Sequence, residues 1–296
     1  MAEVGLVQLA RVSLKICREA VAERRSKYSK KTYTQPQLLA ILVLCRYEDW
    51  SLREAEVRLS EHRELCKALA LRTVPDYSTL SYFLSRLQTE QLDAVLKAVA
   101  QRFPTYRGRR SVTVAIDSTG LGRGAISAYY VRRRSAHYSA PQAWSTWLKW
   151  LVVIDVTTGL LLAQTAHAGP SNDSDKLRPI TQKAHQVVRV SEVLADAEFD
   201  SERNHQFVRT QLQADSIIPA KRGKPTWRIQ GVRAQMRASF PAERYRRRNR
   251  VESFFSAIKR KLSARAPGRH LPNRCKQALL LGLTYNLYRL RRLFSL

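Results

Sequence analysis

Acidic residues are scarce in this chain, 24 against 52 Lys and Arg. Three of them stand where acid chemistry is possible. Asp117 closes Ser111-Val-Thr-Val-Ala-Ile-Asp117, and Asp196 closes Glu192-Val-Leu-Ala-Asp196. Both segments are apolar and β-branched and predict strands. Glu252 lies in Tyr245–Lys259, a stretch without Gly or Pro that predicts a helix. At about 100° per residue, Tyr245, Arg248, Glu252 and Lys259 share an arc of roughly 60°. Val251, Phe254, Phe255, Ile258 and Leu262 form a separate apolar stripe. Alone, Glu252 is an ion-pair partner of little energetic weight, and each Asp is the start of a turn. Together they have another use. If the strands of Asp117 and Asp196 are neighbours, the three carboxylates meet at one sheet edge and repel unless cations bind. Hard oxygen ligands suit Mg²⁺, with Mn²⁺ as a substitute. Two such ions about 4 Å apart support in-line phosphoryl transfer. The basic frame would hold a phosphodiester.

The elements that must position these acids follow from changes of period. Val4–Arg24, Gln35–Tyr47, Leu52–His62 and Gln91–Phe103 read as helices. Ser51 with Glu54 makes a capping-box pattern. Pro75 followed by Asp76 or Ser78 starts a further helix with an apolar stripe of Leu80, Phe83, Leu84 and Leu87. This helix and the one before it suit either a helix-turn-helix or plain bundle packing. Arg107–Arg110 is a basic linker, so the domains expected are 1–105 (helical, DNA-binding), a 106–110 linker, and 111–296 (catalytic). After the first strand come Trp147–Val156, a Thr157-Thr-Gly159 hairpin turn, and Leu160–His167. Helix Lys176–Val188, strand 192–196, helix Asp200–Leu212 capped by Asp200, and strand Ser216–Pro219 follow. Residues 219–240 read as an exposed basic loop and Asn273–Arg292 as a packing helix. The fold class is mixed α/β, a five-stranded mixed sheet behind an all-α N-terminal part.

A formal charge of +28 on a chain with 44% hydrophobic residues excludes a disordered polycation and implies a polyanionic partner, with double-stranded DNA first. The longest apolar run, Leu38–Cys45, is too short to span a membrane. Residues 1–20 carry no signal-peptide pattern. Cys17, Cys45, Cys66 and Cys275 lack zinc spacing and read as reduced thiols. No Gly-rich phosphate loop is present, against nucleotide hydrolysis. A cytoplasmic, nucleoid-associated protein is expected.

With these motifs the chain resembles the DDE transposases of bacterial insertion sequences, in the IS-four/IS-five group. The group's Y-(2)-R-(3)-E-(6)-K signature is met at Tyr245, Arg248, Glu252 and Lys259. Ala115–Leu121 is similar to the first-Asp motif and Leu194–Ser201 to the second. Trp147–Asp155 and the Asn172-Asp-Ser-Asp175 loop are also similar to family segments. The resemblance implies an RNase H-like core. Asp117, Asp196 and Glu252 would then bind two Mg²⁺ and catalyse hydrolysis followed by strand transfer. Tyr245, Arg248 and Lys259 would contact DNA near the cut. The second motif departs from the usual Asp-Lys-Gly-Tyr-Asp, reading Asp196-Ala-Glu-Phe-Asp200, so Asp200 stays an alternative to Asp196.

The basic neighbours Arg246, Arg247 and Arg250 are further DNA-binding candidates, as is Lys149, an isolated charge in an apolar strand. Asp155 either joins the site or caps the hairpin turn. Asp175 either joins the site or caps the next helix. Trp144 and Trp227 are either core residues or platforms for a flipped base. The function expected is a Mg²⁺-dependent transposase acting on DNA ends as a homodimer. Its rivals are an inactive or domesticated DNA-binding protein of the same fold and a basic RNA-binding protein.

Overall fold

The computed structural model describes residues 5–106, 108, 111–122, 147–169, 171–221 and 230–291. Trp144, Trp227, Arg132–Arg134, Arg222, Lys224 and Arg228 lie outside them. Two compact units emerge: Met1–Pro104 with Ile258–Leu296, and Thr105–Ala257.

The helical unit contains α1 (Leu6–Ala20), α2 (Gln35–Glu48), α3 (Leu52–Glu61), α4 (Arg63–Ala68), α5 (Tyr77–Arg86) and α6 (Thr89–Arg102). The Leu38–Cys45 run of α2 is buried along its whole length. Ser51 and Glu54 cap α3 reciprocally: Glu54 N–H donates to Ser51 Oγ at 3.2 Å and Ser51 N–H to Glu54 Oε2 at 2.7 Å. Asp76 caps α5, accepting from Ser78 N–H at 2.6 Å. The last helix, α12 (Leu271–Arg291), packs against α1, α2, α5 and α6. The sequence pattern assigns it to the catalytic part. Its nearly all-round apolar surface instead needs cover on several sides, which a helical bundle supplies.

The second unit holds β1 (Val112–Leu121), β2 (Leu148–Asp155), β3 (Leu161–Ala168), α7 (Leu177–Val187), β4 (Val190–Leu194), α8 (Glu202–Gln206) continued by a π turn over Phe207–Gln211, and β5 (Asp215–Ile217). Next come α9 (Gly231–Ala238), α10 (Ala242–Arg246), a 3₁₀ turn at Arg247–Asn249, and α11 (Arg250–Lys261), which runs past Ala257. The sheet order is β3-β2-β1-β4-β5. β1–β3 form an antiparallel meander, and β4 and β5 run parallel to β1 through helical crossovers. This is an RNase H-like five-stranded mixed sheet, with β1 and β4 adjacent.

Several boundaries differ from expectation. β1 continues four residues beyond Asp117, through Asp117–Thr119, where both faces are only partly buried and polar side chains are tolerated. Ser201, not Asp200, caps α8, accepting from Asn204 N–H at 3.2 Å. The expected loop 219–240 contains α9, an amphipathic helix buried at Met236. The Tyr245–Lys259 helix is interrupted by one tighter 3₁₀ turn.

Candidate active site

Sheet alternation sets the face on which each side chain stands. Asp117 is paired with Val152 and Thr119 with Trp150, so Asp117 shares a face with Trp150. The Trp150 ring meets Phe254 and Phe255 of α11 at centroid distances of 6.1 and 5.9 Å. The predicted apolar stripe is buried throughout: Val251, Phe254, Phe255, Ile258 and Leu262. Docking of Phe254 and Phe255 on Trp150 therefore brings the start of α11, with Glu252, to the Asp117 face.

The two Asp residues arrive by different routes. Asp117 projects from mid-strand, its side chain 19% exposed, and accepts from Ser118 N–H at 2.8 Å. Asp196 lies two residues past β4, 33% exposed, and accepts from Glu198 N–H at 2.7 Å. Glu252 is 64% exposed in the first turn of α11.

The three acids surround one guanidinium. Arg248 Nη2 donates to Asp117 Oδ2 at 2.8 Å and stands 3.7 Å from Asp196 Oδ2. Its Nη1 is 3.5 Å from Glu252 Oε1. Arg248 Nε is buried with no hydrogen-bond partner. Three carboxylates thus share one poorly satisfied cation, an excess of acid in a strongly basic chain. Among the described residues no three metal-binding side chains are drawn together as ligands, since Arg248 stands between these three. Burial pushes the Asp117 carboxyl above its ordinary range, and Asp196 and Glu252 add to this. Arg248 and the Ser118 N–H oppose it. Tyr245 is half-buried, with its ring edge-on to Phe240 at 5.0 Å. Burial raises its phenol, the same three acids reinforce this, and Arg248 opposes it. Tyr245 is a neutral donor beside the cluster.

The remaining candidates lie elsewhere. Lys259 is exposed about two turns further along α11. Arg246, Arg247 and Arg250 are exposed and, with Val156, Thr157, Asn249 and Ser253, line a separate hollow of about 400 Å³. Arg247 also stands 3.6 Å from Glu192. Lys149 is paired with Gly120, so alternation puts it on the face opposite Asp117. There Asp173 holds it at 2.6 Å.

Asp200 is fully buried. Arg233 grips it from Nε at 2.8 Å and Nη2 at 2.7 Å, and Lys221 N–H donates at 2.9 Å. Burial alone would raise this carboxyl. The His205 ring 3.8 Å away, with hydrogen bonds from Arg233 and the Lys221 N–H, instead holds it far below the ordinary range. Asp155 caps the hairpin turn, accepting from Thr157 N–H at 2.9 Å and Thr158 Oγ1 at 2.8 Å. Asp175 is exposed and caps nothing; it stands 3.9 Å from Arg178. The buried, ion-paired acid of its loop is Asp173, which is not among the candidates named from sequence. The loop's resemblance to family segments was the available signal.

No curated protein sequence matches the chain. Among solved structures, a piggyBac transposase in a synaptic complex with hairpin DNA is similar to it at 11% identity and a TM-score of 0.46. That likeness covers 97% of this chain and 73% of the other. The transposase DDE domain model matches residues 108–287, which include Asp117, Asp196 and Glu252. On that match the chain belongs to the transposase DDE domain family.

Proposed function

We propose that this chain binds the ends of an insertion sequence, hydrolyses the phosphodiester there, and joins the freed 3′-hydroxyl to target DNA. The observation that carries this reading is the convergence of Asp117, Asp196 and Glu252 on Arg248. These acids fit hard divalent ions: the donors are carboxylate oxygens, they outnumber the cation they share, and its Nε is unsatisfied. Asp117, Asp196 and Glu252 would hold two Mg²⁺, or Mn²⁺ in substitution. The bound ions would activate the attacking oxygen and stabilise the leaving one.

The other roles belong to the chain itself. Arg248 is placed to exchange carboxylates for a DNA phosphate, which its planar fork suits. The neutral Tyr245 phenol can donate to a phosphate oxygen or stack on the terminal base. Lys259, Arg246, Arg247 and Arg250 would extend the phosphate-holding surface. The signature at Tyr245–Lys259 favours the IS-four/IS-five group. The helical unit would grip the element ends. On α5, Tyr77 and Tyr82 are exposed, with Arg53 and Arg86 over their rings at 4.7 and 3.8 Å. Such pairs suit contact with a nucleic acid. The complex would be a homodimer on paired ends in the bacterial nucleoid.

The test is cleavage and joining on duplexes carrying the sequences that flank the gene, with Mg²⁺. Asp117→Asn, Asp196→Asn and Glu252→Gln should each slow chemistry on the order of a thousandfold while end binding persists. Normal cutting by the Glu252→Gln protein would overturn the assignment. An inactive DNA-binding relative is the second reading. The three retained acids speak against it, and wild-type protein that binds ends yet cuts nothing would establish it.

A further inference from the structure

Asp173 lies in the loop between β3 and α7 with its side chain fully buried, and none of the roles above uses it. Lys149 and His167 are cross-strand neighbours on the face of the sheet that carries Ser118. Lys149 Nζ is 2.6 Å from Asp173 Oδ2, and His167 Nε2 is 3.0 Å from Asp173 Oδ1. The Ser118 side chain faces Asp173 from β1 and helps to stabilise its charge. Burial would raise the Asp173 carboxyl, but His167, Lys149 and Ser118 hold it below the ordinary range, so it is an anion. From the same ammonium a second contact runs to Glu198 Oε2 at 3.7 Å. Asn204 Nδ2 closes the frame, donating to Ser174 O and to Phe199 O, each at 2.9 Å.

Two backbone segments are thereby tied from behind. Ser118 follows Asp117 directly, and its side chain stands against Asp173 at that point of β1. Glu198 is two residues past Asp196, and its link runs through Lys149. We infer that Asp173 is a positioning residue: through Ser118 and Lys149 it sets the spacing of Asp117 and Asp196 from the face opposite the reaction. The inference rests on the active-site reading above. Partners that orient metal-ligating groups without touching the ion characteristically matter to affinity, because ligands held at a fixed spacing need not be gathered on binding.

The experiment is Mn²⁺ titration of the full-length protein, with free ion read by electron paramagnetic resonance and end cleavage measured alongside. Asp173→Asn and Lys149→Met should each raise the half-saturating Mn²⁺ concentration by roughly 10–100-fold. The double variant should be no worse than the poorer single one, because both break one linkage. Lys149→Arg should restore much of the affinity. Glu198→Gln, an exposed change that leaves the fold intact, should raise the half-saturating concentration about threefold. If Asp173→Asn does not fold, Glu198→Gln and Lys149→Arg decide. Unchanged Mn²⁺ binding in Glu198→Gln, or no better binding in Lys149→Arg than in Lys149→Met, overturns the inference. So does a lowered melting temperature with unchanged Mn²⁺ binding in Asp173→Asn, which would mark a merely structural acid. Asp117→Asn separates the two levels. If it leaves Mn²⁺ binding intact, the active-site reading itself fails. If it abolishes binding while Asp173→Asn changes nothing, only the present inference falls.

Discussion

Asp196 and Asp200 are four residues apart and chemically identical, yet their surroundings are opposite. Asp200 has a guanidinium of its own, gripped through two nitrogens, plus a backbone N–H, and is sealed from solvent. Asp196 has one backbone N–H and a distant share of Arg248, which it divides with Asp117 and Glu252. A structural carboxylate is one whose charge is fully answered. Around Arg248 the answer is left incomplete, and that surplus of negative charge is what a divalent ion or a DNA-bound rearrangement can use. The raised Asp117 carboxyl and the lowered Asp200 carboxyl express the same difference.

Exchanging the neutral amide for each acid is the strongest way to break this contrast. Asp196→Asn should reduce strand cleavage on the order of a thousandfold, as removal of a group stabilising transition-state charge does. Its melting temperature should hardly change. Asp200→Asn should do the reverse, costing about 1–3 kcal/mol of stability because the buried carboxylate's charge-assisted bonds from Arg233 and the Lys221 N–H are lost. Urea denaturation and an end-cleavage assay read both, and a stable, slow Asp200→Asn protein would invert the assignment.

Acid sharpens the comparison. The Asp200 carboxyl is depressed in the folded protein, so it binds its proton more readily when unfolded. Its stabilisation is complete above the unfolded value of about 3.9. That contribution should fade as pH falls below this value towards the folded one. Stability measured from pH 7 down to pH 2 should therefore drop less steeply in Asp200→Asn than in wild type. A smaller effect is expected at the shared cation. Arg248→Gln should increase Mn²⁺ affinity severalfold in DNA-free protein, by removing the competing charge, while weakening binding to DNA. Equal or weaker Mn²⁺ binding would mean that Arg248 helps to hold the ion site together. Smallest of all, Arg246→Ala and Arg250→Ala should each lower the salt slope of DNA binding by about 1. Arg247→Ala should lower it less, since Glu192 already engages that side chain.

The helix that carries Glu252 was legible because its apolar stripe and its polar arc are both periodic; the stripe is buried throughout, and Arg248 meets Glu252 beside Tyr245. Strand identity was legible from β-branched runs. Strand adjacency was not, since β1 and β4 are separated by a hairpin and a helix and only the folded sheet pairs them. Asp117 seemed to end its strand because an acid interrupts an apolar run. Pairing with β2 carries β1 on to Leu121 regardless. Residues such as Asp173 are hardest to foresee: their partners come from β1, β2 and β3, so no local pattern announces them. The same holds for α12, whose partners precede it by some 170 or more positions.

Glu252 reaches the site on a helix, and that helix is seated by aromatic contact with Trp150. A core ring therefore acts as a spacer whose thickness sets how far the third acid reaches. Trp150→Phe would thin it without altering a single charge, and the resulting defect would look electrostatic in an assay although its origin is volume. Screens that sort variants into folding defects and catalytic defects would misfile it. The boundary between scaffold and chemistry in this chain runs through one indole.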